Sequence, residues 1–349
     1  MRRHIKRAGL AVAKSFGFFK IASSSHFRNS RLLVLGYHGV SLEDEHLWNP
    51  SCYLSANTFR RRMAALKRSS CTVLDLEEAL DLLAADNLPE RAVVLTFDDG
   101  TYDFCKIVWP ILQEFGYPAT LYLTTYYVEH QHPVPPGIWS YLLWKANRSS
   151  VSAREILEED VTFNLRDQSG RADALRRLVS FAQFRKMDGH QKNCLSAKLA
   201  QILGIDFDAI CRNRVYGLLR PEEVHELGRD GVSVQAHLHR HNLRPIDREV
   251  YIGDLQRNRE LITKMTGKEP KHFCYPRGDY TQECADWLRN DGIKSATTCD
   301  VGLCAKDTDP LLIPRLIDTS HLPDTTFESW LVGVGPLLSR LGALISRAA

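Results

Sequence analysis

The run Ala92-Val93-Val94-Leu95-Thr96-Phe97-Asp98-Asp99-Gly100 decides how this chain is read. Six residues without a charge, rich in β-branched side chains, describe a buried strand. The strand ends in two adjacent carboxylates and a glycine. Crowded carboxylates repel each other and lose hydration, so a cation or a shared proton is expected beside them. Gly100 lets the backbone turn sharply after them. A second apolar strand, Val232 to Ala236, ends in His237-Leu238-His239-Arg240-His241. One carboxylate and two imidazoles can hold a catalytic divalent metal with an open coordination position. The two segments together point to metal-assisted hydrolysis.

On either side of this run, strands alternate with helices. Strands are expected at Leu32–Tyr37, Ala92–Phe97, Ala119–Leu123, Val232–Ala236, Lys271–Tyr275 and Ile293–Thr298. Ser55 should cap a helix that buries Phe59, Met63 and Leu66, and Asp75 with Glu78 reads as a capping box. A helix burying Cys105, Val108, Ile111, Leu112 and Phe115 follows the Asp98–Asp99 strand. Pro221 should open another helix, and a long one should run from about Arg248 to Met265. Such alternation favours a parallel sheet, open or closed. Between about 139 and 220 the pattern turns mostly helical and reads as an insertion. In barrels of this kind the chemistry sits where strands finish. His38, Asp98, Asp99, His237, His241 and the turn Tyr275-Pro276-Arg277-Gly278 all follow strands.

The 349 residues suffice for one large domain with an insertion. A net charge of +3 is too small to argue for a nucleic-acid partner. The charge is unevenly spread, because eight basic residues from Arg2 to Arg31 precede the first acid, Glu43. Ile5, Ala8, Val12, Phe16 and Phe19 fall at helical spacing. The arm 1–30 therefore reads either as a membrane-surface helix or as one packed on the protein's own body. The tail 321–349, with Leu331, Leu337, Leu338, Leu341 and Leu344, poses the same choice. Nine scattered cysteines without a CxxC pair fit a reducing compartment better than a secreted one. No long uncharged apolar run is present, and Lys14 interrupts the stretch a signal peptide would need. These features favour the cytoplasm, with peripheral contact at the inner face of the membrane.

From Arg31 to Asp318 these motifs resemble the polysaccharide deacetylase family, the fold shared with rhizobial chitooligosaccharide deacetylases (carbohydrate esterase family four). The resemblance implies a distorted α/β barrel, (β/α) in repeat, spanning 31–320 and carrying the helical insertion. It implies Asp98 as general base and Asp99 as metal ligand, with His237 and His241 completing the metal set. Zinc is the first choice, although Co, Ni and Fe accept the same ligands. It implies backbone N–H assistance at Arg277, with Tyr275 beside it, for the developing oxyanion. Many members carry arginine where this chain has Cys274, and Arg315 is the substitute available to orient the base. Leu35-Gly36-Tyr37-His38-Gly39-Val40 is similar to the start of circularly permuted members, which assigns the general acid to His38, with His321 as competitor. The implied reaction is removal of N-acetyl groups from an oligo- or polysaccharide, free or lipid-linked, by metal-activated water. Two other readings stay open. Leu238 and Cys274 depart from the family pattern, which would suit a carbohydrate-binding or assembly protein that has lost the chemistry. A related hydrolase of non-sugar amides is the third.

Overall fold

The computed structural model describes residues 10, 14–130, 133–241, 244 and 246–338. Its centre is one all-parallel sheet of eight strands. In chain order they are β1 (Leu33–Tyr37), β2 (Thr72–Leu74), β3 (Ala92–Phe97), β4 (Thr120–Leu123), β5 (Ser233–Ala236), β6 (His272–Cys274), β7 (Ser295–Thr297) and β8 (Leu316–Ile317). The spatial order is β7-β6-β5-β4-β3-β1-β8, with β2 beside β3. Every residue of β1 and β3 is buried, as expected for strands covered on both faces.

The sheet curls, and residues 310–318 join its two edges. Ile313 bridges Thr297 of β7, Thr298 donates to the Ile313 carbonyl at 2.9 Å, and Asp318 donates to that of Gly36 in β1 at 2.9 Å. This closing segment carries Arg315 into the interior. Gly36 leaves room for this segment, since a Cβ there would lie 2.5 Å from Ile317 Cδ1 and 3.3 Å from Arg315 Nη1. β2 and β8, of three and two residues, were not foreseen, because neither is long enough to show a period.

The connecting helices include α1 (Ala56–Arg68), α2 (Leu76–Ala84), α3 (Trp109–Phe115), α4 (Pro221–Arg229), α5 (Arg248–Thr266), α6 (Gln282–Asn290) and α7 (Asp324–Leu331). Ser55 caps α1 through Thr58 N–H, and Phe59, Met63 and Leu66 are buried. Asp75 caps α2 through Glu77 N–H at 2.8 Å. The expected reciprocal bond from Glu78 is not formed, because Asp75 reaches the second amide of the helix and not the third. α3 is preceded by a π-helical turn, Phe104–Val108. Pro110 has no N–H to give to the preceding turn, and the helix widens there.

Residues 138–215 gather their own apolar cluster around Trp139, Leu142, Leu178 and Leu199. It is built mainly from the helices Gly137–Lys145, Gln168–Phe184 and Gly189–Leu203, and includes an antiparallel hairpin, Ser150–Ser152 with Thr162–Asn164. The hairpin was hidden in a polar stretch. Trp139 and Tyr141 are buried in this cluster.

Within the arm, Gly17 adopts φ 77 and starts a new helix at Phe18. The new start resets the helical phase. Phe19 is 8% exposed and Phe16 75%, so these two do not share a face. Ile5, Ala8 and Val12, like Leu341 and Leu344, lie outside the described residues. Buried Arg28 donates to the carbonyls of Leu331 at 2.7 Å and Ala92 at 3.0 Å, which ties the arm to α7 and β3.

Candidate active site

β3 and β5 flank β4, with β6 beside β5, and they finish at one end of the sheet, which delivers the two clusters to one place. Asp99 Oδ1 lies 3.3 Å from His237 Nε2 and 3.3 Å from His241 Nε2. These three donor atoms all fall within 4.8 Å of one another. Asp99 Oδ1 is buried yet has no hydrogen-bond partner among the described residues. His237 Nδ1 sits 2.8 Å from the Cys274 carbonyl. A carbonyl only accepts, so Nδ1 carries a proton and Nε2, on the Asp99 side, is the ring atom available to a metal. An orphaned carboxylate oxygen, two imidazole nitrogens and an oriented tautomer fit a divalent cation.

Three non-glycine residues around this point adopt left-handed backbone: Asp99 (φ 73), Leu238 (φ 63) and Arg277 (φ 59). Each belongs to a turn directly after a strand. For Leu238 and Arg277 this costs roughly 1–2 kcal/mol apiece, and such strain concentrates at functional sites.

Asp98, 3% exposed, turns toward the barrel interior. Arg315 grips it with two parallel bonds, Nη1 to Oδ1 at 2.8 Å and Nη2 to Oδ2 at 2.9 Å. The guanidinium is itself fixed by the Thr298 carbonyl at 2.9 Å and the Thr96 hydroxyl at 3.1 Å. Its Nη2 lies 3.1 Å from Cys274 Sγ. The guanidinium thus reaches the Asp98 carboxylate from the closing segment and lies beside Cys274 as it does so. His38 stands on the other side, its Nε2 3.9 Å from Asp98 Oδ2.

Burial alone would raise the pKa of Asp98, but the charge and hydrogen bonds of Arg315, helped by His38 and His237, leave it below the usual range. Burial likewise opposes the charge of Asp99, and the neighbouring imidazoles outweigh it and hold that carboxylate low. His237 is pushed up against its burial by Cys274, Asp99 and Asp98, whereas burial wins over Asp99 at His241 and lowers it.

Other sequence-predicted residues fall differently. Tyr275 follows β6, but its side chain is fully buried and its hydroxyl donates to the Leu311 carbonyl at 3.1 Å. It packs on Phe273 and Tyr280, so only its backbone belongs to the site. Arg277 occupies the middle of the Pro276–Gly278 turn, and its side chain pairs with Asp279 at 3.3 Å. His239 meets Thr125 Oγ1 at 3.0 Å, outside the ligand set. His321 is exposed in the loop before α7.

Two residues that support the histidine loop escaped the sequence reading. Asn258 on α5 accepts from His237 N–H at 3.1 Å and donates to the Leu123 carbonyl at 2.9 Å. One turn earlier, Asp254 accepts from Arg240 N–H at 2.9 Å and from its guanidinium at 2.6 Å. Both lie on the buried stripe of α5 with Tyr251, Leu255 and Ile262. Polar residues four apart on an otherwise apolar stripe were the available signal.

Comparison with known proteins follows the same lines. A model of the polysaccharide deacetylase family matches residues 85–296. YxkH of Bacillus subtilis (strain 168), whose name assigns it provisionally to the polysaccharide deacetylases, is 29% identical over 104 residues, which are 30% of this chain and 35% of that protein. The poly-β-1,6-N-acetyl-D-glucosamine N-deacetylase of Escherichia coli (strain K12) is 33% identical over 88 residues, or 25% of this chain and 13% of that protein. The chain therefore spans only a minor part of either relative. Among solved structures, the Streptococcus pyogenes deacetylase PplD in complex with acetate superposes with a TM-score of 0.55 at 16% identity, over 84% of this chain and 94% of that one. IcaB from Ammonifex degensii gives 0.54 at 15% identity, over 89% and 100%. Likeness at this level of identity concerns the fold. With the family model covering more than half of its length, the chain belongs to the polysaccharide deacetylase family.

Proposed function

We propose that the protein removes N-acetyl groups from amino sugars of an oligo- or polysaccharide. The observation that carries this reading is the pairing of Asp98, gripped by Arg315, with the converging donors of Asp99, His237 and His241. Asp99, His237 and His241 would hold a divalent cation, zinc by first choice, which supplies Lewis-acid polarisation of the acetyl carbonyl and more acidic water. Asp98, kept ionised beside Arg315, accepts the proton of the attacking water. The carbonyl oxygen gains charge as the bond forms, and the Arg277 N–H is the donor offered to it. His38, close to Asp98, delivers a proton to the departing amine, which is otherwise too basic to leave. The loss-of-chemistry reading is weakened because Arg315 takes the place beside Cys274 that a missing arginine would leave empty.

Acetate release from N-acetylglucosamine oligomers by the zinc-loaded protein tests the reading. Release is expected, with loss on chelation and recovery when zinc is returned. Stoichiometric zinc without release would favour a binding protein, and release only from a non-sugar amide would favour the third reading.

We further propose peripheral contact with anionic lipid, at the cytoplasmic face where lipid-linked substrates would be met. Two segments support this. Residues 1–42 contain no acid, and neither do residues 329–349. They meet where Phe19 and Leu10 pack with Val332. Phe16, Phe18, Ile21, Leu337 and Leu338 stay exposed around them. Basic residues near an anionic surface contribute about 1 kcal/mol each. Co-sedimentation with anionic vesicles should occur at low salt and weaken with a Phe16→Glu, Phe18→Glu double change. That change leaves Arg28 in place, unlike removal of the whole arm. Equal binding by both proteins, or none by either, would contradict the contact.

A further inference from the structure

The His38 imidazole is not anchored by bonds of its own. Its Nδ1 is buried without a hydrogen-bond partner among the described residues, and Nε2 is 3.9 Å from Asp98, beyond hydrogen-bond reach. Its placement is therefore inherited from its backbone. Three ties hold that backbone to the Asp98–Asp103 loop. Asp98 N–H donates to the Tyr37 carbonyl at 2.9 Å. Thr101 Oγ1 reaches the His38 carbonyl at 3.5 Å, a long contact. The shortest is Asp103 Oδ2, which accepts from Val40 N–H at 2.7 Å.

We propose that Asp103 is a positioning residue: its carboxylate ties the segment carrying His38 to the loop carrying Asp98 and Asp99, and so sets the reach over which His38 passes its proton. The inference rests on the N-deacetylase reading above. Asp103 is only 4% exposed and has no cationic side chain bonded to it among the described residues. Burial raises its pKa to about 7, with the Val40 N–H and the Thr101 side chain pulling the other way. A carboxylate in so unfavourable a place is retained at a cost that an apolar residue would not incur. Its neighbours are arranged to keep the tie rigid. Beyond Val40, buried Glu45 accepts from the N–H groups of Leu42 and Glu43 at 3.3 and 2.8 Å, so the segment after His38 is held twice. On the other flank, Leu219 N–H donates to the Gly100 carbonyl at 2.9 Å and Tyr102 N–H to that of Gly217 at 2.8 Å. The loop carrying Asp98 and Asp99 is thus fixed on one side by the exit of residues 138–215 and on the other by Asp103.

The test compares the full zinc-loaded chain with Asp103→Ala and Asp103→Asn. Four quantities are read: turnover of N-acetylglucosamine oligomer, turnover of 4-nitrophenyl acetate, bound zinc, and hydrogen exchange at the Val40 amide. The aryl ester leaves without a proton from His38. Asp103→Ala should lose roughly tenfold or more on the amide, as misplaced catalytic groups do, and much less on the ester. Zinc should stay bound, and Val40 should exchange faster. Asp103→Asn keeps a carbonyl oxygen that can accept from Val40, so it should recover part of the amide turnover; if the alanine variant does not fold, the amide-to-ester ratio of Asp103→Asn decides. Equal losses on amide and ester would make Asp103 merely structural and overturn the proposal, as would unchanged exchange at Val40. A wild-type chain inactive on the amide contradicts the N-deacetylase reading instead, and Val40 exchange then still decides whether the tie exists.

Discussion

Away from the strand ends that carry the site, the polar groups of the sheet stay neutral and are largely paired, although His272 Nε2 is buried without a partner among the described residues. Gln235 accepts from the N–H groups of Lys271 and His272 at 2.9 and 3.0 Å, and His272 Nδ1 meets Ser295 Oγ at 2.8 Å. Where the same strands finish, charge is concentrated. Two carboxylates, three imidazoles and a buried guanidinium share one space, and Asp99, Leu238 and Arg277 are held in left-handed backbone. Burial acts at both ends with different results. At His272 it outweighs the pull of Glu77 and Asp75 and lowers the pKa to about 4, which leaves a neutral ring. At Asp98 it is outweighed by the Arg315 guanidinium and at Asp99 by the neighbouring imidazoles, and the carboxylates stay ionised. One end of the sheet spends its polar residues on stability, the other on holding charge ready.

The sharpest way to break this contrast is to unpair the charged end. Arg315→Met removes both bonds to Asp98 and leaves a buried carboxylate facing sulfur. Breaking one side of a buried pair costs about 3–5 kcal/mol, to be read from chemical denaturation. The Asp98 pKa should rise, and turnover should fall while the metal stays bound. Unchanged stability and turnover would mean that the two-bond grip carries no weight.

The opposite end should answer to pH and not to catalysis. Below pH 6.5 the unfolded chain protonates His272, whereas the folded chain refuses that proton until about pH 4. Stability from this residue is therefore full above pH 6.5 and is lost as pH falls toward 4, by about 3 kcal/mol over the window. His272→Gln should flatten that limb of the stability curve and leave turnover at neutral pH unchanged. An unaltered acid limb, or a catalytic defect, would erase the distinction between the two ends.

Much of the charged end was legible because its parts are short-range. Asp98 and Asp99 adjoin Gly100, and His237 and His241 share one loop, so residue type and spacing alone marked them. The supports were harder to read because they act over distance. Arg315 lies 217 residues from Asp98, and only closure of the sheet through 310–318 brings them together. Asn258 and Asp254 sit on a helix whose apolar stripe drew attention away from its two polar members. Tyr275 was drawn into the site by its neighbours in sequence, but alternation along the chain turns its ring into the core. Gly17 altered the arm for a similar local reason, since one left-handed residue shifted Phe16 and Phe19 onto different faces.

The proposed mechanism divides the labour between adjacent carboxylates: Asp99 would hold the cation and Asp98 would handle the proton. Metal content and acetate release, measured in parallel on Asp98→Asn and Asp99→Asn, test it most directly. Asp98→Asn, nearly isosteric but unable to accept the proton, should keep its metal and lose turnover by orders of magnitude. Asp99→Asn should lose most of the metal and the turnover with it. Metal retained in Asp99→Asn and lost in Asp98→Asn would contradict the assignment and exchange the two roles.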